Sequence, residues 1–463
     1  MSGLYLAATA ILVFSGFFIS RRRAVAVAGP NQSNMHSLPA YHGLYTAACI
    51  LVPMLLVYAA GLPLISWLAE HNALSFFPAE TVADPLKRST VLREIANVAA
   101  GQHSGEFSAE AQAGAAAYSG AITWGGRIML VSGLVLGGSA ALWGASRVSM
   151  RFRARNIFER FVEIVLLLCA AIAVLTTFGI LFSVAGETYR FFFDPNITGK
   201  PGVFDFLFGT EWNPQAAMRA DQGDISTAYG FIPLLVGTLL ITVIAILVAG
   251  PLGLFSAIYL AEFASPKVRA IFKPILEILA GIPTVVLGFF AALTVAPLIR
   301  GWGESFGLDI ASESALAAGL VMGMMIIPFI SSLSDDVINA VPQSLRDGAY
   351  ALGATRSETI RQVVLPAALP GIVAAFMLAI SRAIGETMIV VMAAGLAANL
   401  TLNPLNAVTT ITVQIKTILV GDQEFDSAKT LAAFALGLVL FFITLALNYI
   451  ALRIVRKYRE QYD

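Results

Sequence analysis

Five polar side chains lie inside long apolar runs, and they are the residues of this sequence best suited to chemistry. They are Ser381, Arg382, Glu386 and Thr387 in one run and Thr284 in another. A charged side chain at the centre of a membrane-spanning helix costs roughly 3 kcal/mol on insertion scales, so such a residue is by default a candidate for function. An arginine beside hydroxyl groups suits the reversible binding of an anion, because together they supply charge and hydrogen-bond donors.

The spacing of Arg382 and Glu386 suggests that they act together. Glu386 lies four residues after Arg382, and on a helix that spacing places both side chains on one face. We therefore expect the carboxylate to pair with the guanidinium and reduce its charge, so that a divalent oxyanion can pass without being trapped. The alternative is an ion pair that only fixes helix packing. The hydroxyl groups have a similar alternative, because Ser and Thr often join helices in membranes.

The composition indicates that these residues lie in a polytopic membrane protein. The 463 residues are 57% hydrophobic and 13% charged, with a formal net charge of zero, whereas soluble domains carry about 25% charged residues. A balanced charge gives no sign of a nucleic-acid partner, and none is expected. Cys49 and Cys169 lie in apolar runs and the four histidines are scattered, so no disulfide, metal site or cofactor is expected.

Nine apolar runs are long enough to cross a bilayer as helices. They cover about 4–19, 45–68, 128–146, 161–185, 231–260, 275–299, 315–330, 371–398 and 431–455. Lys and Arg are concentrated after the first run, between 147 and 160, and after 452. Because basic residues favour the inner side of a membrane, we expect an all-α fold with the amino terminus outside and the carboxy terminus inside.

The chain is expected to divide near residue 150. Residues 1–150 would form an amino-terminal membrane extension with about three spans and short amphipathic helices in 69–124, outside the lipid. Residues 156–455 would form a core of six spans, with an ordered outer loop at 186–229 after the first of them. The sixth run is interrupted by Gly281-Ile282-Pro283, and broken helices are tolerated where their backbone lines a cavity.

The inner loop of this core, residues 336–366, carries the signals of a first helix. Pro342 suits a first helical turn. Leu345, Ala349 and Leu352 recur at i, i+4 and i+7, which predicts one apolar stripe. Gly353 follows, where a left-handed residue often ends a helix.

A second short helix is predicted directly after the first. Thr355 and Glu358 match the S/T-x-x-E pattern of a capping box, in which each residue caps the other's backbone N–H. Pro366 is expected to discourage continuation of this helix. The loop should therefore be a helix–turn–helix between two membrane spans.

This loop resembles the cytoplasmic coupling loop of ATP-binding-cassette importer permeases. The family pattern is Glu-Ala-Ala, three residues, Gly, nine residues and Ile-x-Leu-Pro, and the matching positions here are Asp347, Gly348, Ala349, Gly353, Val363, Leu365 and Pro366. The resemblance implies a type I importer permease core whose loop docks on a separate ATPase subunit. The coupling residues that it implies are Asp347, Ala349, Gly353, Thr355, Glu358, Leu365 and Pro366.

Four further motifs resemble the phosphate-specific permease subunits of the PstC family. They are residues 209–214, 259–266, 281–286 and 382–388, the last reading Arg-Ala-Ile-Gly-Glu-Thr-Met. The resemblance implies that Arg382 and Glu386 matter for the passage of inorganic phosphate. It also implies a bacterial plasma-membrane protein that forms a heterodimer with a PstA-type permease subunit, with a PstB-type ATPase dimer inside and a PstS-type phosphate-binding protein outside.

The sequence offers no ATPase site of its own. Gly199-Lys200 is followed by Pro and lacks the upstream glycine spacing of a phosphate-binding loop, so we expect a transport subunit without catalytic residues. Two alternatives stay open. One is a permease for another oxyanion, such as sulfate, molybdate or phosphonate. The other is a membrane sensor or anchor in phosphate signalling, for which the long amino-terminal region is the reason.

Overall fold

The structure is a computed structural model, and it describes residues 2–29, 35–101, 108–214, 228–420 and 427–459. Within these residues the regular elements are helices, apart from one isolated antiparallel bridge between Trp212 and Tyr229. Nine helical segments of the described chain are long and apolar enough to cross a membrane. The prediction of an all-α multi-pass membrane protein is therefore confirmed.

The helices are numbered in chain order. They are α1 (Ser2–Ala28), α2 (Pro39–Leu74), α3 (Ala79–Ala83), α4 (Pro85–Ala99), α5 (Ala109–Ser146), α6 (Ala154–Phe193), α7 (Val203–Phe208), α8 (Ile232–Ile258), α9 (Pro266–Ala280), α10 (Thr284–Phe290), α11 (Ala296–Ser305), α12 (Ala315–Ala340), α13 (Gln343–Ala351), α14 (Arg356–Thr359), α15 (Leu365–Ile384), α16 (Met388–Ala393), α17 (Ile411–Leu419) and α18 (Ala428–Arg459). Single π-helical turns lie at Tyr259–Phe263, Ala291–Val295 and Ile360–Val364.

The described chain forms two compact units, Met1–Val174 and Leu175–Asp463. In the first unit, α1, α2 and α5 pack along one another, and α4 packs against α5. Glycines allow the close approach: a Cβ on Gly133 of α5 would collide with the ring of Tyr5 in α1. Small residues at such interfaces are typical of membrane helices. The predicted boundary near residue 150 stays a prediction.

The second unit is built around α12. This helix packs against α8, α15 and α16, and Met322, Ile326 and Ile330 on it are completely buried. Through these contacts α12 packs against α15, the helix that carries Ser381 and Arg382.

Three predicted spans have clearly different bounds in the structure. The third was expected at 128–146, but it belongs to the single helix α5, which begins at Ala109, so the expectation of short helices outside the lipid is wrong for 109–124. The sixth was expected at 275–299, but α9 ends at Ala280 and the crossing segment runs from Thr284 to Ser305. Pro283 adopts an extended conformation (ψ 132°) directly before α10, so it separates the two helices. The eighth span was expected at 371–398, but its continuous helix runs from Arg356 to Ile384.

The expectation that Pro366 discourages continuation of the second loop helix is wrong. A proline removes one helical hydrogen bond, and its ring clashes with the carbonyl four residues earlier. That carbonyl belongs to Gln362, which lies in the π-helical turn Ile360–Val364. The wider turn accommodates the proline, and the helix continues through Pro366 into α15.

Candidate coupling elbow and membrane-embedded polar site

The first helix of the inner loop forms as its sequence signals predict. Pro342 directly precedes α13, and Gly353 follows its end with φ +86°. We call α13, α14 and the turn between them, residues 343–359, the elbow. Of the predicted apolar stripe, Ala349 is buried, but Leu352 is 91% exposed. The stripe is therefore only partly covered by this chain.

The capping box at the start of α14 is confirmed. The backbone N–H of Glu358 donates to Thr355 Oγ1 at 3.4 Å, and the backbone N–H of Thr355 donates to Glu358 Oε2 at 2.8 Å. These two bonds satisfy donors that a helix start leaves unpaired. They fix where the helix that leads to α15 begins.

A buried ion pair anchors the elbow to the end of α8. Arg346 of α13 and Glu262 of the π-helical turn after α8 are each 9% exposed, and Arg346 Nη2 lies 2.9 Å from Glu262 Oε1. Arg346 also donates to the carbonyl oxygens of Val341 and Ile338 at the end of α12. One guanidinium thus joins three elements. Sequence reasoning did not predict this contact.

A second charge cluster holds α9 against α12. Arg269 Nη2 lies 2.8 Å and Lys273 Nζ 3.0 Å from Asp335 Oδ2, and Lys273 Nζ also lies 2.8 Å from Asp336 Oδ1. The hydrogen bonds that Lys273 donates to Asp336 and then to Asp335 raise the pKa of Lys273 above its usual value. Lys273 therefore stays protonated through the physiological pH range, and its ion pairs hold α9 against the part of α12 that precedes the elbow.

The glycine that ends α13 provides a local test of the elbow. Gly353→Ala is expected to destabilise the fold by about 1 kcal/mol, because a side chain at φ +86° is strained. Gly348→Ala is the matched control: it lies inside α13 with open space around its Cα, so alanine there should stabilise by up to about 1 kcal/mol. Thermal unfolding of both variants measures the difference, and equal effects would contradict the left-handed role of Gly353.

Arg382 lies on α15, near its end, and its side chain is exposed. Its guanidinium carbon lies 5.9 Å from the centre of the Phe329 ring of α12. Within the described residues no carboxylate lies within 4.0 Å of it. The expected ion pair between Arg382 and Glu386 is therefore wrong.

The reason is that α15 ends before Glu386. The helix stops at Ile384, so the one-turn spacing no longer applies. The carboxylate of Glu386 instead accepts the backbone N–H groups of Met388 at 3.0 Å and Ile389 at 3.3 Å. These are unpaired donors at the start of α16, and Glu386 therefore positions the helix break.

The three predicted hydroxyl residues lie at or near the ends of three helices, and their hydroxyl groups do not join one another. Thr284 begins α10, which packs against α16. Thr387 directly precedes α16 and donates weakly to Gly385 O at 3.5 Å. Ser381 lies one residue before Arg382 on α15. No hydrogen bond between these hydroxyl groups is found in the described part of the chain.

A threonine cluster that sequence reasoning missed supports this break. Thr412 Oγ1 donates to the carbonyl oxygen of Glu386 at 2.8 Å, and Thr410 Oγ1 lies 3.0 Å from Thr412 Oγ1. Gln414 on α17 donates to Leu396 O at 3.0 Å and accepts from Trp212 Nε1 at 2.9 Å. The sequence signal for this cluster was weak, because Ile411 and Val413 interrupt its polar residues.

Two family models match the chain. Residues 6–176 match the model described as "Phosphate ATP-binding cassette transporter", and residues 249–460 match "Binding-protein-dependent transport system inner membrane component". The first match covers nearly all of the first compact unit, and the second covers the part of the second unit that contains the elbow and Arg382.

Curated bacterial proteins are similar to about half of the chain. The "Probable ABC transporter permease protein YqgH" of Bacillus subtilis is 35% identical over 253 residues, 54% of this chain and 78% of that protein. The "Phosphate transport system permease protein PstC 1" of Mycobacterium tuberculosis is 35% identical over 282 residues, 54% of this chain and 81% of that protein. The PstC protein of Mesorhizobium japonicum is 33% identical over 267 residues, which are 54% of this chain and 77% of that protein.

A solved structure shows a weaker similarity. The crystal structure of a bacterial ABC transporter involved in the import of the acidic polysaccharide alginate is 16% identical, with a TM-score of 0.43 over 65% of this chain and 98% of that chain. A similarity at this level carries no argument about substrate.

Proposed function

We propose that this chain forms part of the membrane pathway of an ATP-driven inorganic phosphate importer. The reason is that the chain belongs to the PstC family of phosphate transport system permease proteins. One observation carries the proposal. Arg382 stands exposed on a membrane-spanning helix, and no carboxylate among the described residues neutralises it. A charged donor inside a span is expensive, and a passing phosphate anion is the kind of group that compensates it.

Phosphate would pass where α15 breaks. Arg382 and Ser381 approach the break from α15, while Thr387 and Thr284 lie at the starts of the neighbouring helices α16 and α10. A guanidinium and hydroxyl groups offer hydrogen-bond donors to phosphate oxygens. Glu386 contributes by holding the first N–H groups of α16, so the break keeps its shape as the anion passes.

The elbow would receive the motion of the ATPase. Its exposed apolar side chains, Leu352 at 91%, Leu345 at 42% and Tyr350 at 41% exposure, suit burial against another protein. The coupling residues that the family pattern marks are Asp347, Ala349, Gly353, Thr355, Glu358, Leu365 and Pro366. Because the helix is continuous from Arg356 to Ile384, a displacement of the elbow would move Arg382 directly.

The assembly that follows has three kinds of protein partner. A homologous PstA-type permease subunit would complete the pathway, a PstB-type ATPase dimer would bind the elbow inside, and a PstS-type binding protein would deliver phosphate outside. The amino terminus would lie outside and the carboxy terminus inside, as the basic segments favour. ATP hydrolysis would be carried out by the ATPase subunits alone. The membrane spans would be surrounded by lipid, and no nucleic-acid partner is expected.

Leu352→Glu should detach the ATPase from the membrane subunits, because it places a charge in an apolar contact. We expect a loss of at least about tenfold in co-purified ATPase, since a buried unpaired charge costs several kcal/mol. Leu402→Glu is the matched control, because Leu402 is also highly exposed, at 77%, and lies between α16 and α17, away from the elbow. Equal retention of ATPase by both variants would contradict docking at the elbow.

Transport itself tests the substrate. Labelled phosphate uptake should be measured in vesicles that contain the complete complex, with sulfate, molybdate and phosphonate as competitors. Phosphate uptake that resists excess sulfate and molybdate is the expected result. If phosphate uptake is absent and one of the competitors is transported, the substrate of the complex is a different oxyanion. Full uptake after deletion of about 1–150, with phosphate signalling lost, would support a sensory role for that region.

A further inference from the structure

An apolar cleft lies in the first unit, between α2, α5 and the start of α6. Its volume is about 290 Å³, and its walls include Tyr45, Cys49, Trp143, Ile157, Phe158 and Phe161. The side chains are apolar except for the Tyr45 hydroxyl, the Cys49 thiol and the indole N–H of Trp143. Since the three helices are membrane spans, the expected occupant of such a cleft is a hydrocarbon chain.

A basic rim lies at one end of this cleft. Between residues 147 and 163 the chain carries five arginines and two glutamates, and all five arginine side chains are exposed. Arg147 follows α5, and its guanidinium carbon lies 5.2 Å from the centre of the Trp143 ring, which is a wall of the cleft. The charge and the apolar wall are therefore in direct contact.

The charges of the rim are not all compensated within the chain. Arg155 is paired with Glu159, with Nε and Oε1 2.6 Å apart, and its guanidinium lies 5.8 Å from the Tyr41 ring. Arg147 has no carboxylate within 4.0 Å among the residues that the structure describes. It is held by an aromatic face instead, which leaves its N–H groups available to an anion.

We propose that the cleft and its rim bind an anionic phospholipid of the inner leaflet, with an acyl chain in the cleft and the headgroup phosphate on Arg147. Basic pockets between membrane helices on the cytoplasmic side bind such headgroups. The apolar cleft alone would accept any lipid, and the basic rim alone would attract any anion. Their contact through Trp143 favours a molecule with both features. This inference uses the proposed orientation of the chain but does not depend on phosphate transport.

The experiment measures lipid binding to the purified complex by native mass spectrometry. Phosphatidylglycerol and phosphatidylcholine with the same acyl chains are the two probes. A basic residue near anionic lipid contributes about 1 kcal/mol, so Arg147→Gln should weaken phosphatidylglycerol binding about fivefold. Phosphatidylcholine binding should fall less, because the choline ammonium already offsets the charge of the phosphate in that headgroup. Arg147→Lys should retain most of the binding, which separates loss of charge from misfolding.

The chain supplies a matched control on α5, the helix that Arg147 follows. Arg127 stacks on Trp124, 5.4 Å from the ring centre, but Trp124 does not line the cleft. Arg127→Gln should therefore leave phosphatidylglycerol binding unchanged. Ala140→Phe, which fills the cleft from α5, should weaken both lipids. Equal loss in the Arg127 and Arg147 variants, or equal binding of the two lipids to the unaltered complex, would overturn the proposal.

Discussion

Arg382→Ala should lower the initial rate of phosphate uptake by about 10- to 150-fold, because hydrogen bonds to a charged group are worth about 1.5–3 kcal/mol. The complex should still assemble, since the side chain is exposed and its nearest aromatic contact, Phe329, is a weak one. Arg382→Lys should retain part of the activity, because it keeps the charge but loses the planar fork of donors. The measurement is labelled phosphate uptake, normalised to assembled complex.

The role of Glu386 gives this prediction its internal control. Glu386→Gln keeps a side-chain oxygen that can accept from the N–H groups of Met388 and Ile389, whereas Glu386→Ala removes it. If the carboxylate positions the helix break, the glutamine variant should transport close to the unaltered rate and the alanine variant much more slowly. Equal loss of phosphate uptake in both variants would instead support the role in which the Glu386 carboxylate reduces the charge of Arg382. Loss of uptake in step with loss of complex in Arg382→Ala would indicate that Arg382 serves only packing.

Local signals predicted the elbow well. The end of α13 at Gly353 and the capping box of Thr355 and Glu358 depend on residues within one or two helical turns. Hydrophobic run length likewise located the membrane spans, because the bilayer imposes a minimum length on a crossing helix. These features need no knowledge of distant contacts.

The membrane-embedded site could be predicted in its residues but not in its geometry. The four-residue spacing of Arg382 and Glu386 implies a pair only if one helix contains both, and backbone donors at the start of α16 compete for the carboxylate. The π-helical turn before Pro366 is also a backbone adjustment that the one-dimensional pattern does not reveal. The threonine cluster at 409–412 binds a carbonyl 26 residues earlier in the chain, beyond the reach of any periodicity.

The anchor of the elbow was missed for the same reason, since Glu262 and Arg346 are 84 residues apart in the chain. Arg346→Ala or Glu262→Ala leaves one buried charge without its partner, and breaking a buried pair costs about 3–5 kcal/mol. We expect either variant to lower the thermal stability of the complex and to raise the amount of ATP hydrolysed per phosphate imported, because the elbow is no longer fixed to α8. Arg361→Gln is the control: this exposed arginine should change stability by less than about 0.5 kcal/mol.

Exchanging the two residues distinguishes this anchor from a simple ion pair. The double variant Glu262→Arg with Arg346→Glu keeps opposite charges, but a glutamate at 346 cannot donate to the carbonyl oxygens of Val341 and Ile338, as the guanidinium does. It would instead bring a negative charge to those carbonyls at the end of α12. We therefore expect the exchange to remain destabilised and poorly coupled. Recovery of both thermal stability and the ATP-to-phosphate ratio would show that charge attraction alone holds the elbow, and that its bonds to α12 contribute little.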